Sequence, residues 1–260
     1  MRNRMLWEDL PEGVRRAVEV HIGEITGIEP VTGGVNSAMT VTVDAEAGRF
    51  FCKVIAANGR MAWMHRNERE VHPYLPDIAP KLQWTVEQDG WLILGLEHIT
   101  GRHPDLSPGS ADIRPVIDAV HDLHAKLTPC PAKVASFAEH WRQLPVWQQL
   151  GTRALELAEG DTLLHTDVHP LNILLDTRVR VIDWAWARTG APWVDDAFLA
   201  TRLMIAGHSP TEAEDQVADV PDEFVVALAG VWEHLAHNDP RPHRRRLARI
   251  ARGWAVSRNL

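Results

Sequence analysis

The sequence predicts an α+β protein in two lobes: a β-rich first third, a helical remainder, and between them a Gly- and Pro-rich stretch at 99–109 with Gly101, Pro104, Pro108 and Gly109. The boundary is expected there, giving a small lobe over 1–98 and a larger one over 99–260. The chain has 260 residues, long enough for two lobes sharing one cleft. With 45% hydrophobic and 24% charged residues it reads as a folded globular chain and not a disordered or fibrous one.

Residues 8–22 carry Leu10, Val14, Ala17 and Val18 near helical spacing, which predicts an amphipathic helix. Residues 39–43 alternate with Thr40 and Thr42, turn at 44–48, and continue as a strand over 49–55, which predicts a hairpin. A helix is expected over 59–75, closed by Pro76. Strands follow at 82–87 and 91–96, joined by Gln88-Asp89-Gly90. Beyond the linker, 111–126 and 136–157 read as helical, the second interrupted at Pro145. Residues 162–182 differ: a strand-like start, a polar loop, then a small hairpin from 172–175 and 179–182. From Asp195 onward the chain reads as helices.

The net charge of −8 argues against a nucleic-acid partner, which favours a basic surplus. Two cysteines, Cys52 and Cys130, are too few for a disulfide framework. Residues 1–10 show scattered charge and no apolar leader core, and no apolar run is long enough to cross a bilayer. A cytoplasmic protein with no membrane partner, monomeric or homodimeric, is expected.

The most informative segment is His165-Thr166-Asp167-Val168-His169-Pro170-Leu171-Asn172, with Val181-Ile182-Asp183-Trp184 following. The spacing H-x-D-x-x-x-x-N, then a strand closed by Asp, supplies the pieces of phosphoryl transfer. One carboxylate orients or accepts the proton of an attacking hydroxyl. An amide oxygen and a second carboxylate hold Mg²⁺ against phosphates. A polar loop satisfying its own turn would also contain His and Asp. The apolar strands on both sides and the position of Asp183 favour the chemical reading, with Asp167 as catalytic base and Asn172 and Asp183 as metal ligands.

These residues resemble the aminoglycoside phosphotransferase family, a branch of the protein-kinase-like fold, over roughly 31–199. The family loop reads H-G-D-x-x-x-x-N; here Thr166 stands at the Gly, and Ala185 follows Asp183-Trp184 where an acidic residue is common. The resemblance implies an ATP-dependent kinase, GTP not being excluded, acting with Mg²⁺ on a hydroxyl of a small molecule. An aminoglycoside, another antibiotic or a metabolite would each fit, and antibiotic resistance is one possible role. A catalytically weak nucleotide-binding regulator, a pseudokinase, is the alternative.

The resemblance places a nucleotide loop at Gly33, Gly34, Asn36 and Ser37, although a plain turn explains the two glycines equally well. It gives Lys53, within the apolar run 50–55, the task of reaching the phosphates; an edge lysine extending to solvent is the bland reading. The helical partner of Lys53 is Glu68 or Glu70, and the family register favours Glu68. Adenine is expected at a hinge over Glu97 to Ile99. His165 and Asp195, the latter in Gly190-Ala191-Pro192-Trp193-Val194-Asp195, are expected to support the loop; an exposed helix-start charge is the alternative for Asp195. His121 and His124, three apart on a helix, have no third metal ligand in view.

Two charge clusters remain. Residues 212–223 hold six acidic side chains, and 241–258 hold seven arginines. If Asp215, Asp219 and Glu223 shared one helical face they could draw in a cationic antibiotic, though Pro221 interrupts that spacing. Solvated helix faces, or pairing of the basic stretch with the acidic one, are the alternatives.

Overall fold

The computed structural model describes residues 5–31 and 37–260. The chain divides into two compact units. One comprises residues up to Gly101 together with Arg180–Ala185, the other Arg102–Val179 with Trp186–Leu260.

In the first unit α1 (Glu12–Ile22) begins only after Pro11, later than the sequence pattern suggests; a single 3-10 turn occupies Trp7–Asp9. Strand β1 (Ile25–Pro30), unforeseen in the sequence, precedes β2 (Met39–Ala45) and β3 (Gly48–Ala56). Its mixed residues bury no continuous face, so no period of two announces it. Then come α2 (Ala62–Val71), β4 (Leu82–Gln88) and β5 (Trp91–Glu97). The five strands form an antiparallel sheet in the order β1-β2-β3-β5-β4. The β4–β5 turn places Asp89 and Gly90 at φ of 49° and 79°, both left-handed, as a two-residue hairpin of the Asp-Gly type requires.

Strand periodicity sorts the sheet into two faces. Val41, Val43, Phe50, Cys52, Val54 and Ile93 pack with Val14, Val18 and Ile22 of α1. The alternate residues Ile55, Leu92 and Leu94 pack with Ala62 of α2. Lys53, between Cys52 and Val54, therefore faces the α2 side. Burial raises the Cys52 thiol well above its ordinary pKa, so it acts as a small apolar residue.

The second unit holds α3 (Ile113–Lys126), α4 (Phe137–Arg142), α5 (Pro145–Leu150) and α6 (Thr152–Leu157). The stretch read as one interrupted helix is thus three short ones, broken at Pro145 and again at Gly151. Strand β6 (Thr162–Leu164) leads into the polar loop, and β7 (Ile173–Leu175) and β8 (Val179–Val181) appear where a hairpin is expected. Strand β9 (Arg188–Gly190) pairs antiparallel with β6. Helices α7 (Trp193–Ala206), α8 (Pro210–Glu214), α9 (Asp222–Asn238) and α10 (Pro242–Ser257) complete the unit. Its core is aromatic: Phe137, Trp147, Trp193, Phe198 and Phe224 meet with ring centroids 4.9–6.4 Å apart.

The two charge clusters find local partners. Asp215, Asp219 and Glu223 do not share a helical face, because α8 ends at Glu214 and α9 starts after Pro221; all three are exposed. Arg258 bonds Glu214 and, at 2.7 Å, Asp222, while Arg252 bonds Glu233 and Arg244 bonds Asp239. Of the acidic stretch, Glu214 and Asp222 are thus paired with Arg258, while Arg252 and Arg244 find their carboxylates farther along, at Glu233 and Asp239.

Gly95 of β5 lies beneath the Trp84 indole. A Cβ there would stand 2.0 Å from Trp84 Cε2, far inside contact distance. Gly95→Ala should destabilise the protein by about 1–3 kcal/mol through overpacking, read as a lowered melting temperature. Adding Trp84→Leu should recover part of that loss.

Candidate functional site

Each unit carries its own set of polar residues. In the first, Lys53 of β3 is 8% exposed and Glu68 of α2 is 1% exposed. Lys53 Nζ donates to both Glu68 oxygens, at 2.8 and 2.7 Å, and to Asp183 Oδ1 at 2.7 Å. Burial opposes the ammonium charge, but the two carboxylates outweigh it and hold the Lys53 pKa above its ordinary value. Burial likewise opposes the Glu68 carboxylate; Lys53 prevails and holds that carboxyl well below its ordinary range. Glu70, the other candidate partner, is exposed. Glu68 Oε1 also accepts the Trp184 backbone N–H at 3.2 Å, which ties the residue after Asp183 to α2. Asp183 has φ of 65°, a left-handed conformation that Asp tolerates better than most residues. Its side chain is nearly half exposed, so one carboxylate oxygen meets Lys53 while the group still reaches solvent.

Of the expected nucleotide loop, Gly33, Gly34 and Asn36 lie outside the described residues. Ser37 is described, and its hydroxyl pairs with His65 Nε2 at 3.0 Å. Glu97 ends β5. Its N–H donates to the Lys81 carbonyl, and its carboxylate accepts the buried Arg180 at 2.9 Å.

In the second unit the loop 165–172 hangs on Asp195, at the start of α7. Asp195 is 2% exposed, and its carboxylate accepts the N–H groups of His165 at 2.9 Å and Thr166 at 2.7 Å. His124 Nε2 meets the same carboxylate at 3.2 Å. Burial pushes the Asp195 pKa up, but these donors outweigh it and hold it low. Asp195 is therefore a buried anchor and not an exposed helix-start charge. Its neighbour Asp196 accepts His121 Nε2 at 2.7 Å, so both helix histidines are engaged by carboxylates of α7. Thr166, which stands at the family's glycine, has φ of 60°. A non-glycine residue there costs on the order of 1–3 kcal/mol; its hydroxyl donates to the Trp186 carbonyl at 2.6 Å and helps hold it.

Asp167 follows with its side chain one-third exposed. Its N–H donates to Nδ1 of the buried His165 at 3.2 Å. Asn172 Nδ2 spans the Asp167 carbonyl, at 3.0 Å, and Oδ2, at 3.2 Å. His169 Nε2 stands 3.6 Å from the same oxygen. The carboxylate is thus oriented by Asn172 and still accessible. Among the described residues no group of three His, Cys, Asp or Glu side chains is arranged to hold a metal ion. The carboxylate of Asp183 in the first unit and the amide oxygen of Asn172 in the second are each hard donors of the kind Mg²⁺ takes. Sequence reasoning did not single out His169, which stands beside Asp167, or Arg202, which lies seven residues after Asp195 on α7.

The profile of the phosphotransferase enzyme family matches residues 27–228. The chain belongs to that family. No curated protein matches it in sequence. Among solved structures it is similar to aminoglycoside phosphotransferase APH(4)-Ia, in a thermostable mutant form crystallised with ADP and hygromycin B. The TM-score is 0.61 at 12% identity, covering 94% of this chain and 99% of that one. It is also similar to LicA in complex with AMP, with a TM-score of 0.63 at 13% identity, covering 94% and 96%. At such identities the likeness is one of fold, and the fold is the kinase-like one.

Folding holds Glu68 and Asp195 below their ordinary pKa values, so the native state binds fewer protons than the unfolded chain in acid. Their stabilisation is present above about pH 4, near the unfolded carboxyl values, and is lost as pH falls. Glu68→Gln should cost about 3 kcal/mol at pH 7, the low end for breaking a buried pair, because Asp183 still meets Lys53. It should also flatten the acid limb of a urea-midpoint profile between pH 7 and 3. An acid limb as steep as that of the wild type would contradict this linkage.

Proposed function

We propose that the protein transfers the γ-phosphoryl group of ATP to a hydroxyl of a small molecule. The observation that carries this reading is the salt-bridged set of the buried Lys53 and Glu68 with the half-exposed Asp183, beside a five-stranded sheet. A lysine held by one carboxylate and offered to another is poised to meet phosphate oxygens, with its position set before any ligand arrives. Ser37 and the glycines before it would approach the phosphates through backbone N–H groups, and the stretch after Glu97 would hold the base.

Asp167 is the proposed base. Asn172 fixes the rotamer of its carboxylate, and Asp195 fixes the loop that carries it, so the hydroxyl of the acceptor meets an oriented oxygen. Asp183 and Asn172 would supply oxygens to Mg²⁺, which when bound offsets the charge of the transferring phosphoryl group. Both cysteines are free thiols, which suits a reducing cytoplasm. No helix among the described residues is long and apolar enough to cross a membrane. The competing reading, a nucleotide-binding regulator without turnover, leaves the oriented Asp167 without a task.

Asp167→Asn should leave nucleotide affinity nearly unchanged and slow phosphoryl transfer roughly a hundred- to ten-thousand-fold, the range for loss of a general base. A mass-shift assay over hydroxylated metabolites and antibiotics would read it. Asp183→Ala should abolish Mg²⁺-dependent nucleotide binding in calorimetry, with Asn172→Ala weakening it less. Turnover of Asp167→Asn at the wild-type rate would remove the base assignment.

A further inference from the structure

Asp195 and Arg202 lie seven residues apart on α7. Seven steps of about 100° fall only about 20° short of two full turns, so the two side chains leave the same face of the helix, about 10 Å apart along it. That face is fixed by Asp195, which accepts the N–H groups of His165 and Thr166. Arg202 is therefore turned toward the segment that carries Asp167, and the charge of Asp167 acts on its guanidinium. Arg202 Nε is buried and finds no hydrogen-bond partner among the described residues. Burial lowers the pKa of the guanidinium and Asp167 only partly offsets this. No direct ion pair joins the two among the described residues.

Arg202 is half-buried, and a cation with a buried, unbonded N–H is costly unless something pairs with it. A guanidinium presents five N–H donors in a planar fork that matches a carboxylate or phosphate group. The other charged clusters of this unit do not compete for the assignment. Arg258, Arg252 and Arg244 are each bonded to carboxylates, and the acidic stretch 212–223 is partly consumed by Arg258 and otherwise exposed.

We infer that Arg202 is the residue that selects the acceptor, binding a carboxylate or phosphate carried by the same small molecule whose hydroxyl meets Asp167. The acceptor class is then a hydroxylated anion and not a polycationic aminoglycoside. This rests on Asp167 as the base. An anionic acceptor would be repelled by the Asp167 carboxylate alone, and Arg202 supplies the opposite charge on the same side of the loop.

Calorimetric titration of the ADP-saturated protein with glycerate, glycerol 3-phosphate and glycerol tests this. ADP occupies the nucleotide site, so the probes report on the acceptor side. At least one of the two anions should bind, and which one is tighter separates carboxylate from phosphate recognition; glycerol should give no saturable signal. Arg202→Met should weaken the anion at least about tenfold, a bidentate charge-assisted contact being lost. Arg202→Lys, which keeps the charge but not the fork, should fall between and stands in if the Met variant does not fold. Asp167→Asn should tighten the anion by removing a neighbouring negative charge, which places the bound anion beside Asp167; the Arg202 variants then assign its partner. Binding of neither anion, or equal affinity in both arginine variants and the wild type, would overturn the inference. So would loss of ADP binding in Arg202→Lys, which would assign the guanidinium to the nucleotide. Anion binding is read without turnover, so a failure of the kinase reading would show separately, as absence of phosphoryl transfer to every alcohol while these affinities persist.

Discussion

The second unit depends on one buried carboxylate. Asp195 is removed from water and is stable as an anion only because it collects two backbone N–H groups and a histidine. The two N–H groups belong to the segment just before Asp167, so the electrostatic need of one helix residue dictates the path of the loop that leads into Asp167. Satisfying a buried charge and positioning an accessible one are here the same set of hydrogen bonds. Asn172 adds the last constraint by spanning the backbone and side chain of Asp167.

The first unit solves a related problem with the sign reversed. An ammonium inside a sheet must be neutralised, and the pleat turns Lys53 to the face covered by α2, where Glu68 meets it. The adjacent residues Cys52 and Val54 point the other way and pack with α1. One strand therefore builds an apolar core on one side and a charged site on the other. Because Glu68 also accepts the Trp184 N–H, the helix that neutralises the lysine also fixes the chain beside Asp183.

Much of this was legible in the residues. The β2–β3 and β4–β5 hairpins follow from alternation and from turns that need glycine, and the choice of Glu68 over Glu70 followed from the family register. Strand β1 escaped because Ile25–Pro30 is half exposed and includes Gly27 and Pro30, so no period of two marks it. The acidic stretch misled because residues spaced by four share a face only while the helix continues, and Pro221 stands at the cap of α9. Arg202 was not legible because the carboxylate whose charge reaches it, Asp167, lies 35 residues away in sequence. Spacing within α7 becomes informative only once Asp195 is known to look at that loop.

The threonine at position 166 has a wider implication. Where relatives of this loop use glycine, which adopts a left-handed backbone freely, this chain uses a β-branched residue and retains it there through a bond to the Trp186 carbonyl. Because the acceptor is a backbone carbonyl, the tether depends on the path of the chain at position 186 and not on which side chain stands there. Valine has the shape of threonine but no hydroxyl, so it would inherit the strain without the tether. Only residues that bring a hydroxyl or shed the side chain remain compatible with the loop.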